Sequence, residues 1–540
     1  MTFKNTTVQN RSKRERLNSS HTIPSHYIEG SSVPKFLLQL LELDATKEEI
    51  LFSLGVQLLK NKSNPAIRRF LKEHKLKIIT FESIPQNEFD LLGSAYQFLN
   101  SKMENLEKGS FYTGGEVARD FVSDLDFSNG EILLDPACGS GSFLFRSNAP
   151  ASQIYGVDAD PIAIMIAKFN YFIKFPNAEY PNLYCEDFFI WFGIHEDNRF
   201  DYIIGNPPYG ASLDLAKIPT QHIISGESFS FFIEFGFWLL KENGIFRFLL
   251  PESILNVKRH TDIRNFILKY TNLKRIKRYS KKFTGVMSDV YMVELNHKKN
   301  KNMIFEDENI TSIPKSIFSA LKNQIFVNLS DDDIGIIEKV ELIQSADLSK
   351  SIFGLGVVTG DNKTKLFPTP AEGLEPIYSG KEVEKYQLLP AKNYILFNRS
   401  NLQQVAPDEL YRAPIKLIYQ TISKYLKVAI DTSGSLSTNS ANLIIPKLDD
   451  IDVYSLLGLL NSDLYSYLHL KLFGGVNKIA KENLMALPLP KLTKEQNKEL
   501  RKLVLETIKT GEDSKVQSFI NKGIFDLSEK QVQHIANAIN

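Results

Sequence analysis

The sequence predicts an α/β protein built on a largely parallel sheet, and three observations lead there. Four short apolar segments, 132–135, 154–158, 182–187 and 202–206, alternate with helix-like stretches and end in Asp135, Asp158, Asp187 and Asn206. A glycine-rich turn, Cys-Gly139-Ser-Gly141, follows the first of them at once. Asp158 comes about twenty residues after that turn, the spacing at which doubly wound sheets hold ribose hydroxyls. Such sheets bind ligands outside the carboxyl ends of their strands, so the four polar ends mark the candidate site.

Composition fits a globular chain: 540 residues, 43% hydrophobic and 24% charged, enough for two to four domains. The amino terminus is polar and basic, unlike a signal peptide. The most apolar run, 229–240, is interrupted by Glu234 and too short to span a bilayer. Two cysteines, Cys138 and Cys185, make neither a disulfide framework nor a cysteine-rich zinc site. No metal site and no membrane association are expected, and the default location is the cytoplasm. Net charge is only +1, but residues 258–301 hold thirteen bases against three acids, +10, which suits phosphate contact.

Residues 1–108 form the first region. Leucines and isoleucines at three-to-four spacing from Leu37 to Leu59 predict helices without chemistry of their own. Residues 109–303 form the second. Phe-Tyr-Thr113-Gly-Gly-Glu116 has capping-box spacing, so Thr113 is expected to cap a helix whose apolar stripe is Val117, Phe121 and Leu125. A cap at a site's mouth also attracts an anionic ligand group. The segment Asp135-Pro136-Ala137-Cys-Gly139-Ser-Gly141-Ser-Phe143 predicts a strand, a turn and a short helix that ends near Asn148-Ala-Pro150. Leu144 stands where a dinucleotide fingerprint wants a third glycine, and the phosphate-loop Gly-Lys-Ser/Thr is absent. Asp135 could hold an ammonium group, Asp158 a ribose, and Asp187 with Phe188 a purine and its amino group.

The strand 200–205 is stopped by Asn206-Pro207-Pro208-Tyr209, because neither proline donates to a sheet ladder. Asn206 and the Pro207 carbonyl offer two acceptors, and Tyr209 a flat apolar face. That set suits a planar group carrying an exocyclic NH2.

In this order, Tyr112-Thr113, Asp135 to Gly141, Gly156-Val-Asp158, Asp187-Phe188 and Asn206 to Tyr209 resemble the S-adenosylmethionine-dependent DNA amino-methyltransferases, gamma group, typified by the TaqI-type adenine-N6 enzymes of restriction–modification systems. The specific resemblance covers 109–295 and a looser one extends to about 490. It implies a Rossmann-like methyltransferase sheet followed by a mixed α/β target-recognition domain. It also implies S-adenosylmethionine as cofactor. Thr113, Asp135, Pro136, Ala137, Gly139 and Gly141 would surround its methionine part, Asp158 the ribose, and Asp187 with Phe188 the adenine. Gly114 departs from the proline usual in that family. Phe231 and Phe232 should flank the cofactor, and Phe283 should form a second aromatic wall for the target base.

The implied function is methyl transfer to the N6 amino group of adenine in double-stranded DNA. Because the adenine N6 lone pair is delocalised, catalysis rests on Asn206 and Pro207 holding both amino hydrogens, worth roughly 7–11 kcal/mol as positioning. Pro208 shapes that turn, and Tyr209 stacks on a base flipped from the duplex. The basic run becomes a phosphate-contacting rim. Cytosine-C5 chemistry needs a thiol after proline, and neither cysteine follows one. Cytosine-N4 DNA, guanine-N2 RNA and glutamine-N5 protein methylation share the Asn-Pro-Pro-Tyr motif and are the alternatives. A cognate restriction endonuclease would be a separate protein.

Residues 304–349 are expected to connect, 350–490 to form the target-recognition domain from short strands and turns, and 491–540 to be helical and charged.

Overall fold

A computed structural model describes residues 2–4, 20–22, 33–85, 90–101, 104, 114–211, 213–214, 218–279, 289–320, 325, 327, 329–473 and 478–539. They fall into two compact units, Met1–Ser312 and Ile313–Asn540. Among them no helix is long and apolar enough to cross a membrane.

The first unit opens with helices α1 (Val33–Leu40), α2 (Lys47–Leu58), α3 (Pro65–Lys72) and α4 (Leu91–Leu99). Their starts follow from local chemistry. Thr46 and Glu49 close a capping box on α2, and Asn64 caps α3 ahead of a proline that has no amide to lose there. Helix α5 (Gly115–Val122) follows, with Gly114 at its N-cap and no side-chain capping bond. Thr113, expected in that role, lies outside the described residues.

A nine-stranded sheet comes next. Its strands are β1 (Leu133–Asp135), β2 (Ile154–Asp158), β3 (Asn182–Cys185), β4 (Phe200–Gly205), β5 (Leu240–Pro251), β6 (Asn272–Tyr279), β7 (Val290–Asn296), β8 (Asn302–Glu306) and β9 (Ile310–Pro314). Their spatial order is β9-β8-β6-β7-β5-β4-β1-β2-β3. From β3 to β5 all neighbours are parallel, whereas β7 runs antiparallel to both β5 and β6. The crossover helices are α6 (Pro161–Lys174), α7 (Phe188–His195), α8 (Ser228–Trp238) and α9 (Thr261–Tyr270). The chain leaves β1 towards β2 and β3, then returns to β4 on the other flank of β1. That reversal is a topological switch point, and it opens a crevice at the carboxyl ends of β1 and β4.

Three expectations need correction. The break expected at 108/109 is no break in the core, because a single buried cluster runs from Val33 through Phe70 and Phe98 to Met292. One close joint is Gly55 on α2, where a Cβ would lie 2.5 Å from the Phe169 ring of α6. Phe52 and Phe70 pack edge-on against the same ring, at 5.5 and 4.8 Å. The helix expected after Gly141 does not form. The chain turns instead, with Ser147 Oγ bonded back to the Leu144 carbonyl at 2.6 Å. Finally, the sheet passes the expected limit at 303, since β8 and β9 continue it to Pro314.

The second unit contains α10 (Asp331–Leu342), whose Asp333 accepts from Lys471 and His534 at 2.9 and 2.7 Å and from the Tyr467 hydroxyl. These partners hold the Asp333 carboxyl far below its ordinary range against the opposing effect of burial. A four-stranded sheet pairs Ile352–Gly354, Ala441–Ile445, Lys416–Gln420 and Val428–Asp431 in that spatial order, all antiparallel. A three-stranded sheet holds Asn393–Ile395, Glu375–Tyr378 and Leu436–Ser437. Lys416 and Asp431 form a fully buried ion pair between two of these strands. Helices Val453–Asn461, Asp463–Phe473, Lys494–Thr510 and Glu529–Ile539 complete the unit.

Candidate active site

The crevice at the switch point is a cavity of about 530 Å³. Asp135 ends β1 at its floor, only 1% exposed, and accepts from the Ala137 amide at 3.1 Å. Burial, with Asp158 adding to it, pushes the Asp135 carboxyl well above the usual carboxylate range. Gly205 on β4 makes room for it, since a Cβ there would sit 2.6 Å from Asp135 Oδ1. In the turn, Gly139 has φ +54° and Gly141 φ +87°, left-handed conformations that glycine adopts without strain. A Cβ on Gly141 would also strike the Phe145 ring at 2.1 Å, whereas one on Gly139 would meet nothing. Gly139 is therefore required within the fold for its φ.

Asp158 ends β2 with each carboxylate oxygen bound by a backbone amide. Gly139 N donates to Oδ2 at 2.8 Å and Asp160 N to Oδ1 at 2.9 Å. Asp160 caps α6 and takes the Tyr96 hydroxyl. Asp187 caps α7 through the Phe189 amide at 2.8 Å. Behind it Phe188 stacks on Phe232 of α8, centroids 5.2 Å apart and planes 14° from parallel. Both rings border the cavity, as do Phe189 and Pro136, while Phe231 does not.

At the opposite lip, Asn206 and Pro208 line the cavity. Pro207 is buried just behind. The loop is pinned by Ser228 Oγ donating to the Pro208 carbonyl at 2.5 Å and by Gly210 N donating to Glu227 at 2.7 Å. Tyr209 is half-buried and meets Phe229 edge-on at 6.2 Å. Its hydroxyl lies 2.5 Å from Asn206 Oδ1 and 2.7 Å from the Leu249 carbonyl, two acceptors for one proton. Burial raises that phenol well above its ordinary range, so it stays a donor.

The structure thus gathers Asp135, Pro136, Ala137, Gly139, Asp158, Asp187, Phe188, Asn206 and Pro208 around one cavity, with Gly141, Pro207 and Tyr209 behind the lining. Thr113 and Phe283 lie outside the described residues. Sequence reasoning missed one wall: Gly93, Tyr96, Gln97 and Asn100 of α4 line the cavity too. Their spacing of three, four and seven puts them on one helical face, a small-and-polar stripe within an otherwise apolar helix. Asp135, Asp158, Asp160 and Asp187 contribute four carboxyl groups, and no lysine or arginine is among the described lining residues. The arrangement favours a cation carrying a flat ring and repels phosphate. Among the described residues, no group of three acids, histidines or cysteines is placed to hold a metal.

Among the described residues, several bases of the run are paired within the fold. Lys274 and Arg275 bind Glu294, Lys277 binds Asp120 and Glu306, and Arg278 binds Asp289 and Asp307. Arg264 is buried on the carbonyls of Ile254 and Val257. Arg259, Lys269, Lys298 and Lys301 are exposed.

Comparison with known proteins adds two domain matches. Residues 87–340 match the N-6 DNA methylase family, and residues 375–489 match the TaqI-like C-terminal specificity domain. Type II methyltransferase M.VspI of Vibrio sp. (strain 343) is 25% identical over 360 residues, 63% of this chain and 86% of that protein. Modification methylase CviBIII of Paramecium bursaria Chlorella virus NC1A is 30% identical over 178 residues, 31% of this chain and 44% of that protein. The structure of the Type IIL restriction-modification enzyme MmeI in complex with DNA resembles this fold with a TM-score of 0.52 at 13% identity, over 95% of this chain and 93% of that one.

Proposed function

Because the chain is an adenine-N6 DNA methyltransferase of the restriction–modification type with a TaqI-like specificity domain, we propose that its crevice binds S-adenosylmethionine beside a flipped adenine. The observation that carries this reading is the make-up of the cavity: four carboxyl groups, a stacked phenylalanine pair and the Asn206–Pro208 lip around one space, with no described cationic side chain. That donor set fits a cofactor with an ammonium, a sulfonium and a purine, and it disfavours nucleotides with phosphates. When bound, the cofactor supplies an electrophilic methyl group.

This chain's own residues do the rest. Asp135 and the 137–141 turn receive the methionine part, with Thr113 assigned beside them. Asp158 accepts from the ribose hydroxyls, a role its remaining lone pairs allow, since a carboxylate has about four acceptor sites. Asp187 accepts from the cofactor's adenine amino group, and Phe188 covers that ring. At the other lip, Asn206 and the Pro207 carbonyl hold the two hydrogens of the target amine so that its nitrogen lone pair faces the methyl. Flipping the base out of the duplex costs a few kcal/mol. Stacking on Tyr209, with Phe283 assigned to the second face, returns roughly 1–3 kcal/mol. The amine proton becomes acidic only after transfer, so no strong base is needed beforehand.

We assign methyl transfer to the first unit and choice of DNA sequence to residues 350–490, with double-stranded DNA in the cytoplasm as the substrate. Cleavage, where it accompanies modification, is assigned to a separate chain. Four of the exposed bases, Arg259, Lys269, Lys298 and Lys301, are assigned to phosphate contact. The test is to incubate the full-length protein with S-adenosylmethionine and a mixed-sequence duplex, then sequence the methylated bases. N6-methyladenine at one recurrent sequence is expected. Methylation of cytosine N4, or of no duplex at all, overturns the reading.

A further inference from the structure

The amino-terminal helices have so far no part in the reaction, yet α4 supplies a wall of the cavity. Just before it, Asp90 is 6% exposed and has φ +52°, a left-handed conformation uncommon outside glycine that aspartate tolerates better than most residues. Four donors converge on its carboxylate. They are the Gly93 amide at 2.9 Å, Ser140 Oγ at 2.5 Å, Ser142 Oγ at 2.9 Å and Asn170 Nδ2 at 2.7 Å. Asn170, on α6, also donates to the Ser140 carbonyl at 3.0 Å. A Cβ on Gly93 would fall within 2.6 Å of the same carboxylate, so helix and acid fit only with glycine there.

Three of these partners, Gly93, Ser140 and Ser142, line the cavity, and Asp90 itself does not. Ser140 follows Gly139, whose amide holds Asp158 Oδ2 at 2.8 Å. At the far end of α4, Tyr96 donates to Asp160, whose own amide holds Asp158 Oδ1 at 2.9 Å. Helix α4 is thus bolted to both sides of Asp158. We propose that Asp90 is a positioning residue for cofactor binding, locking α4 onto the 139–142 turn so that the turn and Asp158 are preformed. This rests on the reading that the cavity takes S-adenosylmethionine.

The test uses the full chain. Asp90→Asn keeps the shape but removes the charge on which the four donors converge. The double variant Ser140→Ala/Ser142→Ala removes the hydroxyls and leaves Asp90 in place. Dissociation constants for S-adenosylmethionine and S-adenosylhomocysteine are measured by calorimetry, alongside cofactor-free affinity for duplex DNA. Each variant should weaken both cofactors on the order of tenfold, as loss of hydrogen bonds to a charged group predicts, with DNA affinity unchanged. Combining all three substitutions should add no more than about a further twofold, because both variants cut one link. Cofactor affinities within about twofold of wild type, equal losses for DNA, or fully multiplying losses would overturn the proposal. If Asp90→Asn does not fold, the serine pair decides alone. Failure of wild type to bind either cofactor would instead overturn the proposed function.

Discussion

The two lips of the crevice are held in opposite ways. Along the wall from Asp135 to Asp160, side-chain oxygens are fixed by backbone: the Ala137, Gly139 and Asp160 amides hold Asp135 and Asp158. Glycines with positive φ fix that backbone in turn. At the loop from Asn206 to Gly210, side chains do the fixing: Ser228 and Glu227 hold the loop's backbone, and the Tyr209 hydroxyl sits between Asn206 and a strand carbonyl. A wall set by main chain is a template that exists before any ligand. A lip set by side chains can exchange partners when a base arrives. The wall should therefore govern affinity for the cofactor and the loop should govern turnover.

The largest effect that could break this division is at Asn206. Asn206→Ala should lower turnover about 10²–10³-fold, as for a lost transition-state contact, while calorimetry shows the cofactor binding as in wild type. A comparable loss in cofactor affinity would erase the distinction between the lips. Next is Asp158→Ala, expected to raise the dissociation constant for S-adenosylmethionine about 10- to 100-fold through loss of charged acceptors. Single-turnover rates with saturating cofactor should change far less. Tyr209→Phe keeps the stacking ring but releases Asn206, so a fall in turnover of about fivefold is expected, one ordinary hydrogen bond. An unchanged rate would mean that the hydroxyl does not orient the amide.

The smallest effect sharpens the comparison within the wall. Asp135 carries a carboxyl pushed up by burial and by Asp158, so the folded state holds its proton more tightly than the unfolded chain. A group raised in this way contributes stability that is complete below its unfolded pKa and is lost as pH rises through its folded pKa. Asp135→Asn should then match wild type in cofactor-free melting near pH 4. The variant should melt higher by about 2–4 °C at neutral pH. A cationic cofactor favours the ionised form, so the order should reverse when S-adenosylmethionine is present. Scanning calorimetry at the two pH values, with and without cofactor, checks both signs.

Much of the site was legible because its signals are local. Asp135, Asp158, Asp187 and Asn206 each end an apolar strand, and strand ends of a parallel sheet meet at one edge whatever else the fold does. The stripe of Gly93, Tyr96, Gln97 and Asn100 was not legible, since a helical face has meaning only against the surface that it meets. The pairing of part of the basic run was not legible for the same reason. The acids that neutralise Lys277 and Arg278 include Asp120, Glu306 and Asp307, outside the counted window and brought near only by the sheet. Asn148 and Pro150 suggest the end of a short helix, but the chain makes only separate helical turns there, Phe145 N on the Gly141 carbonyl at 2.9 Å and Ser147 N on the Phe143 carbonyl at 3.2 Å.

Strand β7 lies between β5 and β6, both of which precede it in the chain. During synthesis the sheet therefore cannot close in sequence order; its seam stays open until residues 290–296 emerge. Arg247 of β5, 1% exposed in the finished protein, finds Glu294 only then, at 2.7 Å. Its other carboxylate partner, Asp124, comes from earlier in the chain and holds both terminal guanidinium nitrogens, so only the Glu294 half of the pairing waits for β7.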